Sequence, residues 1–147
     1  MTAAVLVIGI GNPSRGDDAL GPYLIERLET LDLPGVELLT DFQLQVEYAL
    51  DLQGRREVVF VDAAAAGPEP WGFAPVAPAR DTSYSSHELS PAAVLHAYEK
   101  LFGPAPSARL LTIRGYEFGL GTPLSPAAEA NLDAAARRLL DHLRLPA

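Results

Sequence analysis

The chain has 147 residues, of which 48% are hydrophobic and 20% charged, so we expect residues 1–147 to form one folded globular domain. The formal charge of −8 disfavours nucleic acid and anionic membrane surfaces as partners. The lack of cysteine excludes disulfides, thiol nucleophiles and cysteine-bound metals and fits a cytoplasmic location. The apolar run 3–10 is too short to span a membrane and does not resemble a signal peptide.

The first half of the chain predicts three strands and two helices. Residues 5–8 form a short, apolar, β-branched run that is typical of a buried strand. Leucines at helical spacing within 18–33 predict the helix that follows it. Residues 36–40 then predict a second strand, 45–53 a short helix and 57–61 a third strand.

The second half continues the alternation of strands and helices. The alanines at 63–66 predict a loop, and 71–76 predict an edge strand because prolines flank it. Ser90 and Ser125, each followed by proline, are typical helix starts, and 110–113 predict a strand between these two helices. The whole pattern predicts an α/β fold: a three-layer sandwich with a twisted, mainly parallel sheet flanked by helices on both faces.

Acidic residues follow two of the predicted strands, at the edge of the sheet where ligands bind in such folds. Asp17 and Asp18 come after the first strand, Asp62 ends the third, and His87 lies in a long loop that can reach them. Two carboxylates and one imidazole are a suitable ligand set for a divalent metal with open coordination positions. The alternative is that Asp17 or Asp18 only caps the first helix.

A glycine pair after the first strand is similar to a phosphate-binding turn. Gly9 and Gly11 stand between a strand and a helix, and Asp41 lies where a dinucleotide-binding domain has its ribose-binding acid. Ser14 replaces the third glycine of that pattern, and the two aspartates at the helix start would repel a pyrophosphate. The glycines therefore favour a tight turn that brings backbone close to the site.

The other histidines and one arginine are weaker candidates. His96 lies off the apolar face of its helix and His142 lies among charged residues, so both are predicted at the surface. Arg15 follows the first strand and either binds a carboxylate or is simply exposed to solvent.

Four segments, in order along nearly the whole chain, resemble the hydrogenase maturation proteases, the endopeptidases that trim the large subunit of [NiFe] hydrogenases. Residues 7–21 resemble that family's strand, GxGN turn, acidic loop and helix start. Residues 59–63 resemble its second acidic segment, 86–95 its histidine segment, and 119–126 its C-terminal segment before the closing helix. The resemblance implies a twisted sheet between helices, in agreement with the predicted elements.

By position, the resemblance places the family's three metal-contacting residues on Asp18, Asp62 and His87. It implies an endopeptidase that removes the C-terminal extension of a nickel-loaded large-subunit precursor. Nickel is then carried by the substrate as the recognition signal, no organic cofactor is needed, and we expect the protease to be a monomer. Our hypothesis is that the metal polarises the scissile carbonyl or activates a water, with Asp18 or Asp62 as base.

The chain departs from the family after the second strand. The family often has Asp-Gly-Gly-Thr there, and this chain has Asp-Phe-Gln-Leu at 41–44. The resemblance implies that this loop contacts the precursor. We expect Gly11, Asn12, Asp41 and Gln43 to bind substrate.

Three other functions stay open on the sequence alone. A peptidyl-tRNA hydrolase-like enzyme has a similar Gly-x-Gly-Asn-Pro opening but needs a basic surface for tRNA. A non-catalytic metallochaperone or docking module would bind the nickel-loaded precursor through the same three residues without cutting it. A dinucleotide-binding domain is the third alternative.

Overall fold

The computed structural model describes residues 2–80 and 89–144. Within these ranges no helix is both long and apolar enough to cross a bilayer. The elements in chain order are β1 (Val5–Ile10), a 3₁₀ helix (Gly16–Ala19), α1 (Leu20–Glu29), β2 (Val36–Asp41), α2 (Tyr48–Asp51), β3 (Glu57–Ala64), β4 (Trp71–Pro75), α3 (Pro91–Phe102), β5 (Ser107–Arg114) and α4 (Pro126–Arg144).

The strands form one sheet in the order β2-β1-β3-β5-β4. The pairs β1–β2, β1–β3 and β3–β5 are parallel, and only β4 runs antiparallel, at the edge beside β5. The predictions of a mainly parallel sheet and of an edge strand near 71–76 are therefore confirmed. Every residue of β1 is buried, as expected of a strand covered on both faces.

Two apolar cores lie on opposite faces of the sheet. Because side chains alternate along a strand, Val5 and Val7 of β1 pack into the first core, while Leu6 and Ile8 pack into the second. Side chains of α1 and α4 complete the first core, and those of α2 and α3 complete the second. The predicted three-layer arrangement is confirmed.

Strand β3 is longer than its apolar run predicts. It continues through Ala64, so the prediction of a loop directly after Asp62 is wrong. The extra residues pair with β5 in a parallel ladder that runs from Glu57–Ser107 to Ala64–Arg114. Local sequence does not reveal this extension, because alanine has a low strand propensity and only the neighbouring strand stabilises it.

Helix α1 packs its backbone directly onto the sheet at Gly21. A Cβ atom at this position would lie 2.4 Å from the Ile10 carbonyl oxygen and 2.9 Å from that of Val61. Only glycine allows so close an approach of helix and strands. This contact holds the start of α1 above the carboxyl ends of β1 and β3.

Candidate active site at the carboxyl ends of the parallel strands

A cavity of about 360 Å³ opens at the carboxyl ends of β1 and β3, and both Asp18 and Asp62 line it. The loop after β2 and the start of α3 supply the remaining walls, through residues 42–44 and 89–91. Its volume lies in the range of small-ligand sites in proteins. The structure therefore brings together two of the three predicted site residues.

Asp62 reaches the cavity because of strand register. It pairs with Ile10, the last residue of β1, so the two strands present their ends side by side. Two further residues of β3 follow, and Ala63 also lines the cavity. The side chain of Asp62 is half-buried.

Asp18 reaches the same cavity from the 3₁₀ helix that precedes α1. The Asn12 N–H donates a hydrogen bond of 2.7 Å to its Oδ2, and the Asp18 N–H donates to the Arg15 carbonyl at 3.0 Å. Gly11, with φ +149°, lies against this turn so closely that a Cβ would be 1.9 Å from the Asp18 carbonyl oxygen. The predicted tight turn is present, and it sets the position of Asp18.

We expect Gly11→Ala to displace Asp18 and to destabilise the fold by more than about 1 kcal/mol, because the new methyl group overlaps a backbone carbonyl. Urea unfolding at pH 7 measures the change. Gly35→Ala is the matched control, since Gly35 also has a positive φ, of 76°, but nothing lies within 4 Å of its added Cβ. Equal losses in the two variants would contradict a specific role for the contact with Asp18.

Asp17, the neighbour of Asp18, has a different environment. It is completely buried, and its carboxylate accepts four hydrogen bonds. Tyr116 N (2.7 Å), Glu117 N (3.0 Å) and Ser125 Oγ (2.7 Å) donate to Oδ2, and Ser125 N (2.8 Å) donates to Oδ1. Asp17 therefore ties the 3₁₀ helix to the loop between β5 and α4.

This network also sets the protonation of Asp17. Burial raises the pKa of its carboxyl, but the hydrogen bonds from Ser125, Glu117 and Tyr116 outweigh burial and lower the pKa below its usual value of 3.8.

The capping alternative is wrong for both aspartates, because neither the 3₁₀ helix nor α1 begins with a side-chain cap. The sequence analysis did not assign Asp17 this structural role. The only sequence feature that points to it is Ser125, the donor that directly precedes α4.

Three of the predicted substrate-binding residues lie at or beside the cavity. Gly11 and Gln43 line it. Asn12 contributes the main-chain N–H that holds Asp18, while its side-chain Oδ1 accepts a hydrogen bond of 2.9 Å from Ser14 N. The side chain of Asn12 thus shapes the loop between β1 and the 3₁₀ helix.

Asp41, the fourth of these residues, lies at the end of β2 beside a second cavity of about 200 Å³. Its carboxylate accepts hydrogen bonds of 2.7 Å from the Tyr48 hydroxyl and from Phe42 N. Burial, together with the hydrogen bond and the charge of Asp41, raises the pKa of Tyr48, so this hydroxyl remains a donor at physiological pH. Asp41 is therefore held in place at the corner between β2 and α2.

The three histidines differ in position and burial. His87 falls in 81–88, outside the described residues. His96 is half-buried on α3. The side chain of His142 is 17% exposed, so it is less exposed than predicted. Its Nε2 lies 2.9 and 3.0 Å from the two carboxylate oxygens of Glu57, at the opposite end of β3 from the cavity.

The described part of the site is a pair of carboxylates that share one cavity. Within residues 2–80 and 89–144, no three side chains of the metal-binding types come together. Two carboxylates can hold a divalent cation together with ligands from another molecule, and either can accept a proton from water. The two carboxylates therefore provide acid–base groups at the cavity.

No protein-family model and no curated protein sequence matches the chain. Solved structures do match. The [NiFe] hydrogenase maturation protease HycI from Thermococcus kodakarensis is 26% identical, with a TM-score of 0.74, over 97% of this chain and 94% of that one. The hydrogenase maturating endopeptidase HybD from Escherichia coli is also 26% identical, with a TM-score of 0.76, over 98% and 93%.

A hydrogenase 2 maturation peptidase from a Thaumarchaeota archaeon shares the fold at 22% identity and a TM-score of 0.69. The similarity extends over nearly the full length of this chain and of both HycI and HybD, so it covers the sheet, both helical layers and the cavity together. With its paired carboxylates at the ends of β1 and β3, this chain is similar, in fold and over nearly its whole length, to the [NiFe] hydrogenase maturation proteases HycI and HybD.

Proposed function

We propose that this protein is an endopeptidase that removes the C-terminal extension of a [NiFe] hydrogenase large-subunit precursor after nickel has been inserted. The observation that carries the proposal is the presence of Asp18 and Asp62 on one cavity, in the fold of the maturation endopeptidases. Nickel is then part of the substrate, and its presence is the signal for cleavage.

The chemistry of the donor groups supports this assignment. Carboxylate oxygens and an imidazole suit Ni²⁺, and three such ligands leave coordination positions for groups of the substrate. Asp18 and Asp62 supply the carboxylates, and we assign the imidazole to His87. A site that engages a metal already held by the substrate needs only an incomplete ligand set of its own.

The reaction is hydrolysis of one peptide bond. The substrate-borne metal polarises the scissile carbonyl or activates the attacking water. Asp18 or Asp62 takes the proton from that water and returns a proton to the leaving amine. The hydrogen bond from Asn12 N to Asp18 Oδ2 keeps this carboxylate oriented toward the cavity before substrate binds.

Mass spectrometry of the large-subunit precursor from the same organism tests the proposal. The precursor is incubated with the protein in nickel-loaded and nickel-free forms. We expect the C-terminal peptide to be lost only from the nickel-loaded form. A precursor that binds but stays full length in both forms would instead identify a docking module, and cleavage of both forms would refute nickel as the signal.

We expect His87→Ala to lower the rate of cleavage by about 10²-fold or more, because the loss removes the only imidazole assigned to the site. His96→Ala is the matched control, since His96 is on α3 and does not line the cavity. Initial rates on the nickel-loaded precursor compare the two variants. A similar small effect of both substitutions would remove His87 from the proposed site.

A further inference from the structure

Phe42 is an exposed aromatic residue at the junction of two cavities. Phe42 is 64% exposed, whereas phenylalanine is more often buried. Phe42 and Gly11 line both the cavity of Asp18 and Asp62 and the second cavity beside Asp41. The two cavities therefore adjoin at Phe42 and Gly11, and we treat them as two compartments of one groove.

Strand register gives the length of this groove. Ile10, in the central strand β1, pairs with Asp41 of β2 on one side and with Asp62 of β3 on the other. Neighbouring strands are about 4.8 Å apart, so the two aspartates are separated by about 10 Å of backbone. An extended peptide covers that distance with about three residues, at about 3.3 Å per residue. One polypeptide segment can thus occupy both compartments.

The second compartment has apolar walls and an acidic side. Pro13, Pro22 and Thr40 line it together with Phe42 and the half-buried Asp41. The hydrogen bond from Phe42 N to Asp41 Oδ1 fixes the backbone of the aromatic residue. With its backbone held and only two side-chain torsions to restrict, Phe42 loses little conformational entropy when it binds a partner.

The surroundings of Phe42 are acidic as well as apolar. Asp18, Asp41 and Asp62 line the two cavities that Phe42 adjoins, and none of the described lining residues is basic. Val46 and Leu50, a few residues further along the chain, are exposed. A surface of this kind is complementary to a segment that carries an apolar side chain and positive charge.

We propose that the second cavity and Phe42 form a substrate subsite for an extended, basic stretch of the precursor, which places an apolar side chain against Phe42 and reaches Asp41 about three residues from the scissile bond. This inference rests on the proposed function, because the neighbouring compartment is the one assigned to peptide hydrolysis. It makes Phe42 a determinant of substrate affinity that takes no part in bond cleavage.

The first test is steady-state cleavage of the nickel-loaded precursor. We expect Phe42→Ala to raise KM about tenfold and to leave kcat within about twofold, because the anchor contributes to binding alone. Phe42→Tyr keeps the ring and should retain the wild-type KM. Leu101→Ala is the matched control: Leu101 is 63% exposed on α3, lines neither cavity and should leave KM unchanged.

The second test concerns the charge of the occupant. Phe42→Glu and Phe42→Lys both remove the ring, but they place opposite charges at the same position. A basic occupant predicts a lower KM for Phe42→Glu than for Phe42→Lys, and the difference should shrink at high salt. A lower KM for Phe42→Lys would overturn the assignment of a basic segment.

The outcomes separate this inference from the function on which it rests. If the wild-type protein cleaves and Phe42→Ala has the same KM, the subsite is wrong and the endopeptidase assignment stands. If the wild-type protein leaves the nickel-loaded precursor intact, the proposed function fails and the subsite fails with it.

Discussion

Replacing either Asp18 or Asp62 by asparagine is expected to slow precursor cleavage by about 10²- to 10⁴-fold, the usual contribution of an acid–base group. An amide has nearly the same shape as a carboxylate, but it takes up no proton at neutral pH and binds a cation weakly. In Asp18→Asn the amide oxygen can still accept the hydrogen bond from Asn12 N, so we expect the loop to keep its conformation.

Initial rates on the nickel-loaded precursor measure this effect, and thermal unfolding shows whether each variant is folded. Asp133→Asn is the control, because it makes the same chemical change on α4, in an exposed ion pair with Arg27 that lies outside the cavity. We expect this control to cleave at the wild-type rate. Full activity of a folded Asp62→Asn variant would refute a catalytic role for this residue.

Replacing Asp17 by asparagine is expected to lower the free energy of unfolding by about 3 kcal/mol at pH 7. The carboxylate accepts four hydrogen bonds in a completely buried position, and three of the donors share Oδ2. Asparagine places either an NH₂ group or a neutral oxygen there, so buried donors from Tyr116, Glu117 or Ser125 lose their partner. Urea unfolding measures the loss.

The same substitution should change the dependence of stability on pH. The pKa of Asp17 is lower in the folded protein than its ordinary value of 3.8, because the donors around it favour the charged form. Its contribution is therefore fully present above about pH 5 and is lost as the pH falls through the folded pKa. The wild-type protein and Asp17→Asn should converge in stability at acidic pH.

Asp133→Asn serves as the control for this prediction as well. Its ion pair with Arg27 is exposed on both sides and should contribute less than about 1 kcal/mol. If Asp17→Asn is no less stable than Asp133→Asn at pH 7, the buried network does not hold the loop between β5 and α4.

The sequence by itself determined the fold class and the place of the carboxylates. Apolar periodicity predicts strands and helices because it is a local property, and the alternation of these elements leads to a mainly parallel sheet. The Ser-Pro pair at 90–91 likewise predicts the start of α3, where the Ser90 side chain accepts a hydrogen bond from Ala93 N. Since parallel strands end at the same edge, Asp18 and Asp62 were expected to lie near each other.

Only the tertiary structure decided that Asp17 is buried in a hydrogen-bond network while Asp18 lines the cavity. The two residues are neighbours of the same type, and the donors to Asp17 come from positions 99 to 108 residues further along the chain. The length of β3 and the place of Phe42 between two cavities also depend on neighbouring strands. Such long-range contacts leave no mark on local residue patterns, because they arise only when distant segments pack together.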